Sequence, residues 1–147
     1  MNIQELDRYL RSKDGVTVQK FAPASAQCVA NRYLLNDIMF AKIYFSSPPV
    51  MAVKANDNRL EYYRAKYGIN VRAAEELEPL HWNDILLDGN IADNVVIAAA
   101  DESYELVLSS LTQHAKKALD PSESNYGYVL KNFDLAKEME KNVKTTN

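Results

Sequence analysis

Residues with reactive side chains occur in this chain, but their spacing does not match a catalytic motif. Ser103, His81 and a carboxylate could together supply the nucleophile, base and acid of a hydrolase. The sequence has no Gly-x-Ser-x-Gly turn to hold such a serine, and a serine near the start of a helical segment is more often a helix cap. A hydrolase is therefore not predicted.

Two groups of carboxylates could gather a divalent cation, namely Glu75, Glu76 and Glu78, and Asp101 with Glu105. Neither group has the spacing of a calcium-binding loop, and no paired histidines accompany them. We therefore interpret these residues as solvated surface acids. Glycine-rich phosphate loops are absent as well, so the sequence predicts no metal, no cofactor and no enzymatic reaction.

The adjacent pair His81 and Trp82 precedes a short apolar run. The simplest interpretation is an indole that packs in the core beside a histidine that hydrogen-bonds to a neighbouring carbonyl group. A role of both side chains in binding is the alternative.

The net charge is −3, but basic and acidic residues are unevenly distributed along the chain. Residues 1–74 hold 11 Lys and Arg but 6 Asp and Glu, whereas residues 75–115 hold 9 acids and no Lys or Arg. In the structural interpretation, the oppositely charged surfaces face each other or simply keep the protein in solution. In the functional interpretation, the basic half forms a face that binds phosphates or an acidic partner. The candidate residues of that basic face are Lys42, Lys54, Arg59, Arg64, Lys66 and Arg72.

Length and composition predict one globular domain. The chain has 147 residues, of which 47% are hydrophobic and 25% charged, enough to bury a core without covalent staples. Its one cysteine, Cys28, excludes a disulfide framework or a multi-cysteine metal site and is expected to pack rather than react. No secretory pattern opens the sequence and no apolar run approaches the roughly 20 residues that span a membrane, so we expect a cytoplasmic protein.

Local patterns in the first half predict a helix followed by strands. Helical spacing extends over residues 3–13, and residues 16–21 form either a loop or an edge strand. Two apolar runs, 33–35 and 38–45, are separated by Asn36 and Asp37, which is the connection of a tight hairpin. Residues 50–54 form a further strand, and short connections make these strands antiparallel neighbours.

The second half is predicted to contain two helices around one strand. Asn58 and Glu61 have capping-box spacing for a helix that ends at Gly68, and residues 69–80 form a connector. Residues 83–87 form a strand, and a helix over 93–117 carries an apolar stripe. Acids near Asp101 favour a helix start, which predicts a break or kink there.

Much of the chain resembles the MmcQ/YjbR family. The matching features are a strand ending in Lys54, a helix, His81-Trp82, Leu87-Asp88-Gly89 and a helix carrying Ser103-Tyr104, in the family's order and spacing. The resemblance covers about residues 1–119 and implies a CyaY/YjbR-like, frataxin-like α+β fold, in which helices pack on one face of an antiparallel sheet. It also implies DNA binding, which is the function generally ascribed to this family, with no reaction assigned.

Residues 120–147 lie beyond the family pattern and form a C-terminal extension with a predicted short helix. Tyr126, Tyr128, Phe133 and Leu135 are too apolar for a free linker, so we expect this extension to dock on the domain or on a partner.

The leading functional hypothesis is a non-enzymatic module that binds DNA or RNA weakly and in a salt-dependent manner. The alternative is a protein-interaction module that uses the acidic segment and the extension.

Overall fold

A computed structural model describes residues 1–22 and 28–118 of the protein, which form one antiparallel sheet with three helices. The strands are β1 (Val16–Phe21), β2 (Ala30–Leu35), β3 (Ile38–Tyr44), β4 (Val50–Lys54), β5 (Val71–Ala73) and β6 (Trp82–Leu86). The helices are α1 (Ile3–Arg11), α2 (Asp57–Tyr67) and α3 (Asp93–Ala118), and a 3₁₀ turn, Gly68–Asn70, follows α2. This architecture confirms the predicted α+β class.

The sheet has the order β1-β2-β3-β4-β6-β5, and every neighbouring pair is antiparallel. Six strands are present where the sequence predicted about five. The additional strand is β5, which lies within the predicted connector 69–80 and has three residues, too few to show an alternating pattern. Residues 16–21 are an edge strand, since β1 stands at one end of this order and, among the described residues, pairs only with β2.

The hairpin between β2 and β3 forms as its turn residues predict. Asn36 and Asp37 both have left-handed backbone angles, with φ of 52° and 66°. Two such residues match the right-handed twist of the flanking strands, which is why tight hairpins favour them.

The three helices cover one side of the sheet, here called the helix face. Leu6 of α1, Tyr63 of α2 and Val96 of α3 belong to one buried cluster together with strand residues such as Ile43 and Ile85. The opposite side, here called the open face, has a second and smaller cluster. Its buried members are Ala30, Tyr44, Ala52, Ala74 and Trp82.

Of the break or kink predicted near Asp101, the break is wrong, because α3 is one helix of 26 residues; the kink stays a prediction. The acids in its middle make contacts with other elements instead of starting a helix. The Asp101 carboxylate accepts a hydrogen bond from the Tyr9 hydroxyl at 2.6 Å and pairs with the Lys13 ammonium at 2.6 Å. Such tertiary partners cannot be seen in a local charge pattern.

The predicted capping box at Asn58 is also wrong. Helix α2 begins at Asp57, and its N-cap residue Asn56 makes no side-chain capping bond. The helix does end at Gly68 as predicted, where φ is 58°.

Across residues 1–22 and 28–118, none of the helices combines the length and the apolar character that a membrane crossing requires.

Candidate functional site

The pairing of the strands aligns six residues in one row across the open face. In order across the sheet they are Gln19, Arg32, Lys42, Ala52, Asp84 and Arg72. The row brings three cationic side chains and one carboxylate onto the same surface, although the residues are separated by up to 65 positions in the sequence. Two candidates from the sequence, Lys42 and Arg72, belong to it.

Lys42 is more deeply placed than a phosphate-binding lysine at a surface. Only 3% of the residue is exposed, and its ammonium lies 4.6 Å from the centre of the Tyr44 ring and 5.1 Å from that of Phe21. Burial lowers the pKa of Lys42, and the positive charge of Arg32 lowers it further. The aromatic ring faces therefore hold this charge inside the protein.

Three other candidates, Lys54, His81 and Trp82, come together in an open cleft of about 730 Å³ beside the first turn of α2. The cleft, here called the α2 cleft, is completed by residues 55–58 and Leu106. The convergence has a simple cause. Lys54 ends β4 and lies directly opposite Trp82, the first residue of β6.

Within the α2 cleft, Lys54 is held by contacts that leave its charge uncompensated. Its ammonium lies 5.5 Å from the centre of the Trp82 ring, and its backbone N–H donates a hydrogen bond to the Ser103 hydroxyl at 2.9 Å. Burial lowers the pKa of the half-buried Lys54 amine. No ion pair joins it to a residue of the described part of the chain. His81 is exposed at the edge of the cleft.

Arg64 of α2 stabilises the chain next to the α2 cleft. Its guanidinium donates hydrogen bonds to the Asn83 side chain at 2.6 Å and to the carbonyl oxygens of Pro79 at 2.8 Å and Trp82 at 3.3 Å. Arg64 thereby fixes the chain that leads into β6. We interpret it as a positioning residue.

The other two candidates on α2 differ in availability. Arg59 pairs with the Glu102 carboxylate at 2.8 Å, whereas Lys66 is exposed and donates a hydrogen bond to the Tyr62 hydroxyl at 3.1 Å. The structure thus distributes the six basic candidates over both faces of the sheet. The half-buried Lys54 and the exposed Lys66 and Arg72 remain free of ion pairs to described residues.

A second cavity, here called the open-face pocket, was not predicted from the sequence. It measures about 630 Å³ and lies on the open face at the end of the row that contains Asp84 and Arg72. Its lining is Cys28, Tyr44, Phe45, Ser46, Ser47, Val50, Arg72, Glu75, Glu76 and Asp84. Cys28 is half-buried and packs against the smaller cluster, in agreement with its expected packing role.

Asp84 is the functional candidate that sequence reasoning missed. It is 8% exposed, its Oδ2 accepts a hydrogen bond from the Glu75 N–H at 3.2 Å, and its Oδ1 has no partner among the described residues. Burial raises the pKa of its carboxyl group, and the nearby charges of Glu75 and Glu76 raise it further. The signal available in the sequence was an acid in the middle of an apolar strand.

The acids around the open-face pocket are spread out. In residues 1–22 and 28–118, no three His, Cys, Asp or Glu side chains converge as metal ligands would.

Comparison with known proteins gives matches at the level of structure. No family model and no curated protein sequence matches the chain. A Deinococcus radiodurans protein, DR2400, with a DUF419 domain superimposes with a TM-score of 0.62 and 14% identity, over 90% of this chain and 88% of that one. A Pseudomonas syringae protein solved as a structural genomics target superimposes with a TM-score of 0.58 and 18% identity, over 72% of this chain and 98% of that one.

This chain shares their fold. The DR2400 domain is YjbR-like, so the α+β architecture with an antiparallel sheet, as the resemblance to the MmcQ/YjbR family implied, agrees with this neighbour. At identities of 14% and 18%, the likeness concerns the fold alone.

Proposed function

We propose that this protein is a cytoplasmic, non-enzymatic module that binds nucleic acid weakly through phosphate contacts in the α2 cleft. The observation that carries the proposal is the position of Lys54, a cation held on the face of Trp82 with no ion pair to a described residue. A lysine presented in this way can exchange the counterions of a phosphate backbone for its own charge.

The start of α2 supports the same ligand. The first backbone N–H groups of a helix have no partner within the helix, and the helix dipole places partial positive charge there. Asn56 does not cap them with its side chain; the Arg59 N–H donates to the Asn56 carbonyl oxygen at 2.9 Å, which leaves the N–H groups of Asp57 and Asn58, two residues that line the cleft, without a partner among the described residues. A phosphate group fits such a helix terminus, particularly beside a lysine.

Several features limit the affinity and the sequence selectivity. Asp57 contributes a negative charge in the first turn of α2, and the acidic residues 75–105 repel a polyanion. Trp82 is buried, so its ring supports Lys54 rather than stacking on a base. Contacts to phosphates alone carry no sequence information, and we therefore expect binding with little preference among sequences.

The test is a fluorescence-anisotropy titration of labelled single-stranded DNA, duplex DNA and single-stranded RNA at increasing KCl concentrations. Binding should be strongest at the lowest salt, and the logarithm of the association constant should fall linearly with the logarithm of the salt concentration. Replacing Lys54→Gln should weaken binding several-fold and reduce the salt slope by about one unit.

Lys20→Gln is the matched control, because Lys20 is exposed on β1 and the substitution removes the same charge. It should retain most of the affinity. Equal losses in both variants would place the contact elsewhere, and absence of binding at low salt would reject the nucleic-acid function. In that second case the protein-interaction module becomes the leading hypothesis.

A further inference from the structure

We propose that the open-face pocket binds a small amphipathic organic cation, an ammonium or guanidinium head on an apolar body, with its head on the Asp84 carboxylate. This site is separate from the α2 cleft, and the two sets of lining residues have no member in common. The inference does not depend on the proposed nucleic-acid binding.

The unpaired oxygen of Asp84 is the first observation. The residue is more than nine-tenths buried and lines the pocket, yet its Oδ1 has no hydrogen-bond donor within the described residues. A buried acceptor without a partner destabilises the protein, because its lost hydration is not replaced. A cationic head seated in the pocket would stabilise this carboxylate through its charge.

The charges around the pocket select a cation. Glu75, Glu76 and Asp84 contribute three carboxylates to the lining, against the one guanidinium of Arg72. An ammonium or guanidinium head would lower the mutual repulsion of these acids, which already raises the pKa of Asp84.

Two further cations, the half-buried Arg32 and the buried Lys42, lie near the pocket against aromatic rings. The Arg32 guanidinium lies 4.0 Å from the centre of the Phe21 ring, and the Lys42 ammonium lies over Phe21 and Tyr44. Neither Arg32 nor Lys42 lines the pocket. Lys42 is attracted to Glu76 and Asp84 and offsets part of their charge, but neither cation forms an ion pair or a hydrogen bond with Asp84 within the described residues.

The size and the apolar walls select a ligand with a hydrocarbon part. A volume of about 630 Å³ lies within the usual range of small-molecule sites, which is about 300–1,000 Å³. Tyr44, Phe45 and Val50 provide apolar lining next to the acids. A bare divalent ion would use neither the volume nor these walls, and the described acids do not converge on one point.

The experiment uses three probes with the same body and different heads: phenethylamine, phenethyl alcohol and phenylacetate. Each is titrated into the isotope-labelled full chain at neutral pH, and the backbone amide shifts in NMR spectra give the site and the dissociation constant. The amine should bind and shift the amides of Glu75 and Asp84. The neutral alcohol should bind about tenfold more weakly, because it lacks a charged donor for the carboxylate.

Asp84→Asn should reduce the affinity for phenethylamine by about tenfold, since it removes the charge from the acceptor. Glu76→Gln supplies a second test, because Glu76 is exposed and its substitution leaves the buried strand intact; it should weaken binding several-fold. Glu61→Gln is the matched control on the exposed surface of α2, and it should leave the affinity unchanged.

Four outcomes of the titrations with the organic probes would overturn the proposal. They are equal binding of amine and alcohol, preferred binding of phenylacetate, absence of binding by all three probes, and retention of full affinity in both Asp84→Asn and Glu76→Gln. MgCl₂ is titrated separately, and saturable shifts of the same amides would identify a metal site and reject the organic cation. Loss of nucleic-acid binding in Lys54→Gln tests the α2 cleft alone, so the two proposals can fail independently.

Discussion

Ser103 shows how one buried hydroxyl group can join three elements. Its Oγ donates a hydrogen bond to the Phe40 carbonyl oxygen at 2.5 Å and accepts one from the Lys54 N–H at 2.9 Å. The residue is fully buried in α3 and far from the start of that helix, so the cap predicted from the sequence is wrong. Ser103 instead attaches α3 to β3 and to the end of β4, where Lys54 enters the α2 cleft.

Ser103→Ala should lower the free energy of unfolding by about 1–3 kcal/mol, because it leaves a buried carbonyl and a half-buried N–H group without partners. Urea denaturation followed by circular dichroism measures the change. The matched control is Ser109→Ala, at an exposed position of the same helix, which should change stability by no more than about 0.5 kcal/mol. Similar effects of the two substitutions would contradict the bridging role of Ser103.

The hairpin of β2 and β3 is the element whose local sequence most directly determines its structure. The left-handed angles of Asn36 and Asp37 close the turn and set Leu35 opposite Ile38, and a bulge between Tyr33 and Leu34 then shifts the register so that Arg32 pairs with Lys42. That pairing begins the charged row across the open face. The turn and the bulge together thus position side chains that lie several residues away from the turn.

The identity of residue 37 should therefore affect stability through its backbone. Asp37→Val should be less stable than Asp37→Gly by about 1–2 kcal/mol, because a branched side chain resists a φ of 66° and glycine adopts it freely. At the exposed strand position Thr17 the order should be reversed, since valine favours a strand and glycine weakens it. Thermal unfolding of the four variants measures both differences. The same order at both positions would show that φ at residue 37 does not control the effect.

At the scale of the whole molecule, ion pairs connect the basic half of the sequence to the acidic segment. The N-terminal amine pairs with Asp93, Lys13 pairs with Asp101 and Arg59 pairs with Glu102. These contacts support the interpretation that oppositely charged surfaces face each other. They also reduce the set of basic residues that could meet a phosphate.

The C-terminal extension lies outside the described residues, and its docking stays a prediction. Deleting the chain after Leu119 should lower the melting temperature or reduce solubility, because the apolar residues Tyr126, Tyr128, Phe133 and Leu135 are expected to cover an apolar surface. Differential scanning calorimetry and sedimentation of the full and shortened chains test this. An unchanged melting temperature together with unchanged solubility would reject docking.

Sequence patterns determined most of the elements because their causes are local. The apolar spacing of α3, the turn at residues 36–37 and the glycine that ends α2 each act within a few neighbouring residues. Strand β5 and the N-cap of α2 escaped the same reasoning. A strand of three residues has no period to detect, and Asn56 is followed three positions later by Arg59 rather than by the Glu or Gln of a capping box.

The functional surfaces were decided by the tertiary structure. Asp84 shares a pocket with Glu76 because β6 pairs with both β4 and β5, and Lys54 lies beside Trp82 because the register of β4 and β6 places them opposite each other. Hydrogen bonds between strands depend on backbone atoms that every residue carries, so the sequence of either strand does not identify its partner. Burial of the whole core selects one pairing and register, and only then do the charged side chains acquire neighbours.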